Sequence, residues 1–266
     1  MSERMSNAPV YYALAQARFN PIAAMSKYIE QVQDRLRQEG YPLFERQQVM
    51  RLRVPGGGQD QGEPPQIDQA ESWLITRNDR SAGFILGTSG ITFHTTHYET
   101  HETFIPALLR GLQIVHEAVV LDHVTRLGLR YLDAVLPQDG ETVERYFVDG
   151  LHGIRFGAHQ RYSLSESVFD TDLVPDLPKG TLVARVYRAT SLLGFPPDMM
   201  PNGLVLMPKF EIKEPQQHAV IDTDHYVEAH MPLDYDKIGE YLSMLHATTK
   251  GVFKAIATDH ARAVWS

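Results

Sequence analysis

The sequence predicts an α+β fold in which antiparallel sheets are covered by long amphipathic helices. This prediction is based on two patterns in the sequence. Apolar residues recur at three- and four-residue steps in three long stretches, as they do on amphipathic helices. Between these stretches, short strand-like segments are separated by turn residues. The order of the segments predicts two loosely repeated strand–helix–meander–helix halves, residues 1–118 and 119–266, with one continuous domain as the alternative.

The first segment, residues 10–19, is predicted to be a strand with small alanines on one face, which let a helix pack closely. Asn20 and Pro21 predict the start of a helix, because asparagine caps helix N-termini and proline suits the first helical position. The apolar stripe that follows consists of Ile22, Met25, Ile29, Val32 and Leu36.

The rest of the first half continues with a strand at residues 44–54 and an exposed loop. A meander is predicted over residues 73–98, because short apolar runs there are separated by turns rich in Gly, Asn and Ser. His–Tyr dipeptides at His97–Tyr98 and His225–Tyr226 suggest the repeat. A second amphipathic helix is expected to begin near Thr100 or Thr103.

The second half opens on the longest strand-like run of the chain, residues 119–135. A short helix is predicted at residues 141–148, and a final amphipathic helix begins near Asp234. Between them, strands are predicted at residues 160–169, 181–187, 203–207 and 217–224.

The composition excludes several classes of function. The chain is 43% hydrophobic and 22% charged, as in an ordinary globular protein, and its net charge of −8 disfavours a broad nucleic-acid surface. It has no cysteines, which excludes disulfides, thiolate metal sites and cysteine nucleophiles. No signal-peptide core or membrane-length apolar run is present, so we expect a cytoplasmic protein with no membrane partner.

The run at residues 119–135 carries an unusual pattern of charge. Residues two apart on a strand share a face, so Arg126, Gly128 and Arg130 point the same way, with the two arginines about 13 Å apart. The glycine leaves room for a ligand or another backbone. The opposite face is mostly core and holds Thr125, Leu127, Leu129, Tyr131 and Asp133.

Arginine in such a position seeks a bidentate anionic partner. Asp222 and Asp224 also share a strand face, and we expect the four residues to form structural ion pairs across a sheet. Two alternatives stay open: an anion or phosphate site built on Arg126 and Arg130, and a surface for a partner protein.

Four segments of the chain carry a resemblance: NAPVYYALAQARF, RLGLRYLD, VIDTDHY and LSMLHATTKGVFKAIAT. Together they resemble a sporadically distributed bacterial family of conserved hypothetical proteins of unknown function. The resemblance spans nearly the whole chain, and Asp133 stands where the family pattern has asparagine. It implies no catalytic residue, and the patchy distribution implies an accessory role in a mobile-element or defence-linked system.

Two motifs invite a metal interpretation. In FHTTHYETH, His94, His97 and His101 are of the right type for zinc, but His94 and His97 face opposite ways on a strand. We therefore expect solvated, capping or core-edge histidines, and no metal or other cofactor. Asp176 and the Glu211–Lys213 triplet loosely match a metal-dependent nuclease, although the long spacing and the acidic chain disfavour it.

The sequence thus predicts a non-enzymatic binding or interaction module. Its partner is expected to be another protein of the same locus or pathway, and a homodimer stays open. The first alternative is an enzyme or binder that acts on a phosphate-containing ligand through Arg126 and Arg130.

Overall fold

The computed structural model describes residues 6–53, 66–154, 156–158, 160–173, 177–199 and 202–266. These residues form one antiparallel sheet of nine strands in the order β2-β3-β4-β5-β1-β6-β9-β8-β7. The strands are β1 (Val10–Arg18), β2 (Leu43–Arg53), β3 (Gln66–Thr76), β4 (Ala82–Gly87), β5 (Gly90–Thr95), β6 (His123–Val135), β7 (Tyr162–Thr171), β8 (Gly180–Ser191) and β9 (Gln216–Pro232). The helices are α1 (Met25–Gln38), α2 (His101–Val119), α3 (Tyr235–Ile256) and α4 (Asp259–Trp265).

The continuous sheet shows that the predicted arrangement of two repeated halves, each with helix-covered sheets, is wrong. Strand β1 pairs with β5 along one edge and with β6 along the other, so both of its edges are hydrogen-bonded. The opening strand thereby joins strands from both sides of residue 118. The two dipeptides that suggested a repeat lie in different settings, because His97–Tyr98 is in a loop and His225–Tyr226 is in the middle of β9.

Three helices, α1, α2 and α3, pack on one face of the sheet and bury the main hydrophobic core. The alanines of β1 are fully buried there, as their size requires for close helix packing. Helix α1 begins at Met25, later than Asn20 and Pro21 predict. The backbone N–H of Ile22 donates to the carbonyl of Thr88 at 2.8 Å, which ties this segment to the β4–β5 turn instead of a helix.

The opposite face is covered over its centre by residues 192–199 and 202–210, an irregular segment that ends in a short 3-10 helix at Pro208–Phe210. Tyr11 and Tyr12 of β1 and Leu132 of β6 are buried there together with Leu204 and Phe210. Residues 203–207 do not form the predicted strand. Val205 instead makes isolated hydrogen bonds, its N–H to the carbonyl of Arg80 and its carbonyl to the Thr96 hydroxyl.

Strand β6 lies near the middle of the sheet, between β1 and β9. Leu127, Leu129 and Tyr131 face the helices, whereas Leu132 and Ala134 face the irregular segment. Its two faces therefore open onto two different environments. No helix in the described part of the chain combines the length and the apolar character needed to cross a membrane.

Candidate functional site

Arg130 lies on the face of β6 that points away from the helices. Its guanidinium donates to Asp222 through Nε and NH2, both at 2.8 Å, and to Asp198 through NH1 at 2.6 Å and NH2 at 3.0 Å. Arg130 is 7% exposed and Asp222 is fully buried. These carboxylates raise the pKa of Arg130 despite its burial, so Arg130 stays protonated and its positive charge is balanced by theirs.

The Arg130–Asp222 pair is part of a ladder that crosses four strands. Asp222 on β9 lies beside Arg185 on β8, with Arg185 NH1 3.5 Å from Asp222 Oδ2. Arg185 Nε in turn donates to Glu166 on β7 at 2.5 Å. We call Arg130, Asp198, Asp222, Arg185 and Glu166 the arginine network. Because its charges alternate, the network stabilises itself without any added anion.

The side chain of Arg126 occupies the space beside Gly128. Its guanidinium carbon lies 4.2 Å from the ring centroid of Tyr226, and its NH1 donates to Gln16 Oε1 at 2.8 Å. A Cβ added at Gly128 would come within 3.2 Å of Arg126 NH1 and 3.3 Å of Tyr226 Cβ. The glycine therefore admits the arginine side chain, and no open gap for a ligand is left there.

Asp224 is directly opposite Arg130 in the pairing of β6 with β9. It makes no ion pair with Arg130 or Arg126, and burial raises its pKa. Of the four residues predicted to act together, the structure therefore joins Arg130 to Asp222. Arg126 instead stacks on Tyr226 and donates to Gln16, and its Nε lies 3.6 Å from Glu228 Oε1.

The other face of β6 borders a cavity of about 410 Å³. It lies between the sheet, the start of α2 and the C-terminal half of α3, and we call it the sheet–helix cavity. Its inner wall includes Val10, Tyr98, Tyr131, Asp133, Thr223 and His246. The volume is in the range of pockets that hold small molecules.

Asp133 is the most unusual residue in this cavity. It is 4% exposed, and no described residue hydrogen-bonds to its carboxylate or forms an ion pair with it. Burial, reinforced by the charge of Asp222, raises its pKa to about 8. The neighbouring Thr223 is 1% exposed, and its hydroxyl has no hydrogen-bond partner among the described residues, although buried polar groups are normally paired. The Asp133 carboxyl and the Thr223 hydroxyl thus both face the cavity without a described side-chain partner.

The remaining polar groups of the inner wall form a chain that leads towards solvent. The hydroxyl of Tyr131 is 3.1 Å from His246 Nδ1, and the His246 ring stacks on His101 at 4.3 Å. His101 Nδ1 lies 3.1 Å from Glu102 Oε2. Burial lowers the pKa of His246 to about 4 and raises the pKa of Tyr131, so both are neutral at pH 7.

The three histidines considered for zinc are not brought together. His94 is fully buried, and its Nδ1 bonds to the hydroxyl of Tyr12 at 2.9 Å on the face away from the helices. His97 is exposed in the loop after β5, and His101 starts α2. Within the described ranges, no group of three or more metal-ligating side chains was found. Asp176 of the nuclease hypothesis lies outside the described residues.

Sequence reasoning placed Asp133 and Tyr131 on the core face of β6 but did not identify the sheet–helix cavity. The cavity needs three segments that are far apart in the chain: the Tyr98–Glu102 stretch, β6 and α3. One signal was present in the sequence, because a carboxylate on an otherwise apolar strand face requires either a partner or a function.

Comparison of the chain with known protein families and with curated proteins finds no match. The resemblance to the bacterial family therefore remains a prediction. Any proposal for function rests on the geometry of this chain alone.

Proposed function

We propose that the protein is a binding module whose ligand is a small molecule held in the sheet–helix cavity. The observation that supports the proposal is that Asp133 and Thr223, both buried, face a space of about 410 Å³ and are hydrogen-bonded by none of the described side chains. An unsatisfied buried polar group costs stability, and a ligand that supplies the missing hydrogen bonds recovers it.

Binding is favoured over catalysis because of where the pKa values lie. Efficient proton transfer needs groups with pKa values near the working pH. Burial moves the pKa values of Tyr131 and His246 away from neutrality, in opposite directions. Asp133, whose pKa burial raises to about 8, is hydrogen-bonded to no described side chain that would relay its proton.

The alternative of a phosphate ligand at Arg126 and Arg130 has less support. Arg130 already makes four hydrogen bonds to two aspartates, and Arg126 is stacked on Tyr226. A phosphate would have to displace buried carboxylates from Arg130. The expected protein partner and the homodimer remain predictions, because no contact in the described residues bears on them.

A dye-binding experiment tests the proposal. The probe is 1-aminoanthracene, a neutral aromatic molecule whose fluorescence rises in apolar surroundings. We expect saturable binding to the full chain and affinity at least about tenfold weaker in Ala8→Trp, which fills the cavity at a half-buried lining position. Ala247→Trp, at an exposed position of α3 outside the lining, is the matched control and should bind as the unaltered chain does.

Equal binding by Ala8→Trp and the unaltered chain, or no saturable binding at all, would contradict the proposal. Circular dichroism of each variant checks that it is folded.

A further inference from the structure

We infer that the ligand of the sheet–helix cavity carries an organic ammonium group that pairs with the Asp133 carboxylate. This inference rests on the proposed function and names the chemical class of its ligand. Three features support it: Asp133 receives no hydrogen bond from a described side chain, aromatic rings lie around it, and the rest of the charged lining is balanced.

The first feature is the missing donor. A carboxylate only accepts hydrogen bonds when ionised, and Asp133 has hydroxyls nearby but receives a bond from none of them. The Tyr131 hydroxyl is engaged with His246, and the Thr249 hydroxyl donates to the carbonyl of Leu245 at 2.9 Å. Among the described side chains none donates to Asp133, which leaves its oxygens able to accept hydrogen bonds from a ligand in the cavity. An ammonium group provides three donors and the opposite charge.

The second feature is the set of aromatic rings. Tyr98 and Tyr131 meet edge to face, with ring centroids 5.3 Å apart and an angle of 83° between the ring planes. Both rings line the cavity beside Asp133, and Phe253 of α3 lines it as well. Aromatic faces attract cations, so rings beside a carboxylate form an environment typical of ammonium recognition.

The third feature is the charge of the lining. Glu99 and Glu102 balance Lys250 and Lys254 in the described lining, so Asp133 adds one unbalanced negative charge once it loses its proton. The titratable and charged groups around Asp133 are Tyr98 and Glu99 from the loop before α2, His101 and Glu102 from α2, Tyr131 from β6, Asp222 from β9, and His246, Lys250 and Lys254 from α3. Asp222 lies on the other side of the sheet, and its charge adds to the negative potential at Asp133.

A pH dependence follows from this pairing. Because the pKa of Asp133 is about 8, the carboxyl is mostly protonated at pH 6 and must lose its proton when the ammonium binds. Affinity should therefore rise about fiftyfold from pH 6 to pH 8 and level off near pH 9, since a primary ammonium stays charged up to about pH 10.

The test uses three probes of similar shape that displace 1-aminoanthracene: 2-phenylethylammonium, 2-phenylethanol and 3-phenylpropionate. At pH 8 we expect the ammonium to bind about tenfold more tightly than the alcohol, and the carboxylate to bind most weakly. In Asp133→Asn the preference for the ammonium and its pH dependence should both disappear. Asp224→Asn removes a largely buried carboxylate on the other face and should keep both.

The outcomes separate the two proposals. If the alcohol or the carboxylate displaces the dye as well as the ammonium, or if the ammonium preference survives in Asp133→Asn, the ammonium inference is wrong and the cavity proposal stands. If the dye binds equally to Ala8→Trp and the unaltered chain, the cavity proposal itself is wrong. The pH profile of the unaltered chain tests the inference even if a variant fails to fold.

Discussion

The two faces of β6 differ in whether their buried charged residues are paired. On one face, Arg130 meets Asp222 and Asp198, and Asp222 is further shared with Arg185. On the other face, three residues along the strand, Asp133 is just as buried, and none of the described side chains pairs with it. The paired charges have an architectural role, because they are satisfied by the fold itself. The unpaired carboxyl points to a role that the fold alone does not complete.

Burial and charge therefore do not identify a site unless hydrogen bonding is also counted. Arg126 and Arg130 are the most conspicuous residues in the sequence, yet the structure uses Arg130 within the arginine network and stacks Arg126 on Tyr226. Asp133 is inconspicuous in the sequence, yet it faces an accessible cavity without a donor. The difference between the two faces can be tested by removing one group at a time.

The largest effect is expected for Asp222→Ala. This substitution leaves Arg130 buried with only the exposed Asp198 as a partner and removes the carboxylate shared with Arg185. We expect the free energy of unfolding to fall by about 3–5 kcal/mol in urea denaturation, because an uncompensated buried charge is costly. Asp198→Ala is the control and should cost about 1 kcal/mol or less, since that side chain is 60% exposed. Equal losses would contradict the architectural role of Asp222.

The second-largest effect is expected for Asp133→Asn, which should increase the free energy of unfolding. The pKa of Asp133 is raised from its ordinary value of 3.8 to about 8, so between these pH values the folded chain keeps a proton that the unfolded chain releases. The free energy of unfolding therefore decreases as the pH rises through this window and levels off above it. Asp133→Asn removes the titration, and we expect it to stabilise the protein by about 2–4 kcal/mol at pH 8 and by little at pH 4.

Urea denaturation at both pH values measures this stabilisation. Asp170→Asn, at an exposed position on β7, is the control and should change little at either pH. Destabilisation by Asp133→Asn at pH 8 would show that the carboxylate has an internal role and would remove the contrast between the two faces.

The smallest effect is expected for Arg126→Ala. This variant loses the stacking on Tyr226 and one hydrogen bond to Gln16, and its side chain is 16% exposed. We expect a loss of about 1 kcal/mol in thermal or urea unfolding, with no effect on dye binding in the sheet–helix cavity. A marked loss of dye binding would indicate that the two faces are coupled.

Local patterns in the sequence predict much of the fold. Alternation and apolar periodicity predict β1, the meander, α2, β6 and α3, because these signals depend on neighbours within a few residues. The single sheet was not predicted, because it depends on β1 pairing with β6 more than 100 residues away, and both strands have edges suited to several partners. Residues 203–207 have the composition of a strand but belong to no strand of the sheet.

The candidate site, like the fold, could be predicted only where it depends on residues close together in the sequence. The alternation on β6 predicts correctly that Arg130 and Asp133 point to opposite faces, and the segment with Asp222 was identified as the source of a partner. The cavity could not be predicted, since Tyr98, Asp133 and His246 converge only after α2 and α3 pack on the sheet. Whether a buried carboxylate has a donor is a property of that packing.

A carbon-13 NMR titration of the Asp133 carboxyl group, assigned by comparison with Asp133→Asn, tests the central claim most directly. We expect a pKa of about 8 for Asp133 in the free protein, and a lower pKa when 2-phenylethylammonium is added. A carboxyl group that titrates near its ordinary value of 3.8 in the free protein would mean that Asp133 is already satisfied, and would contradict the account.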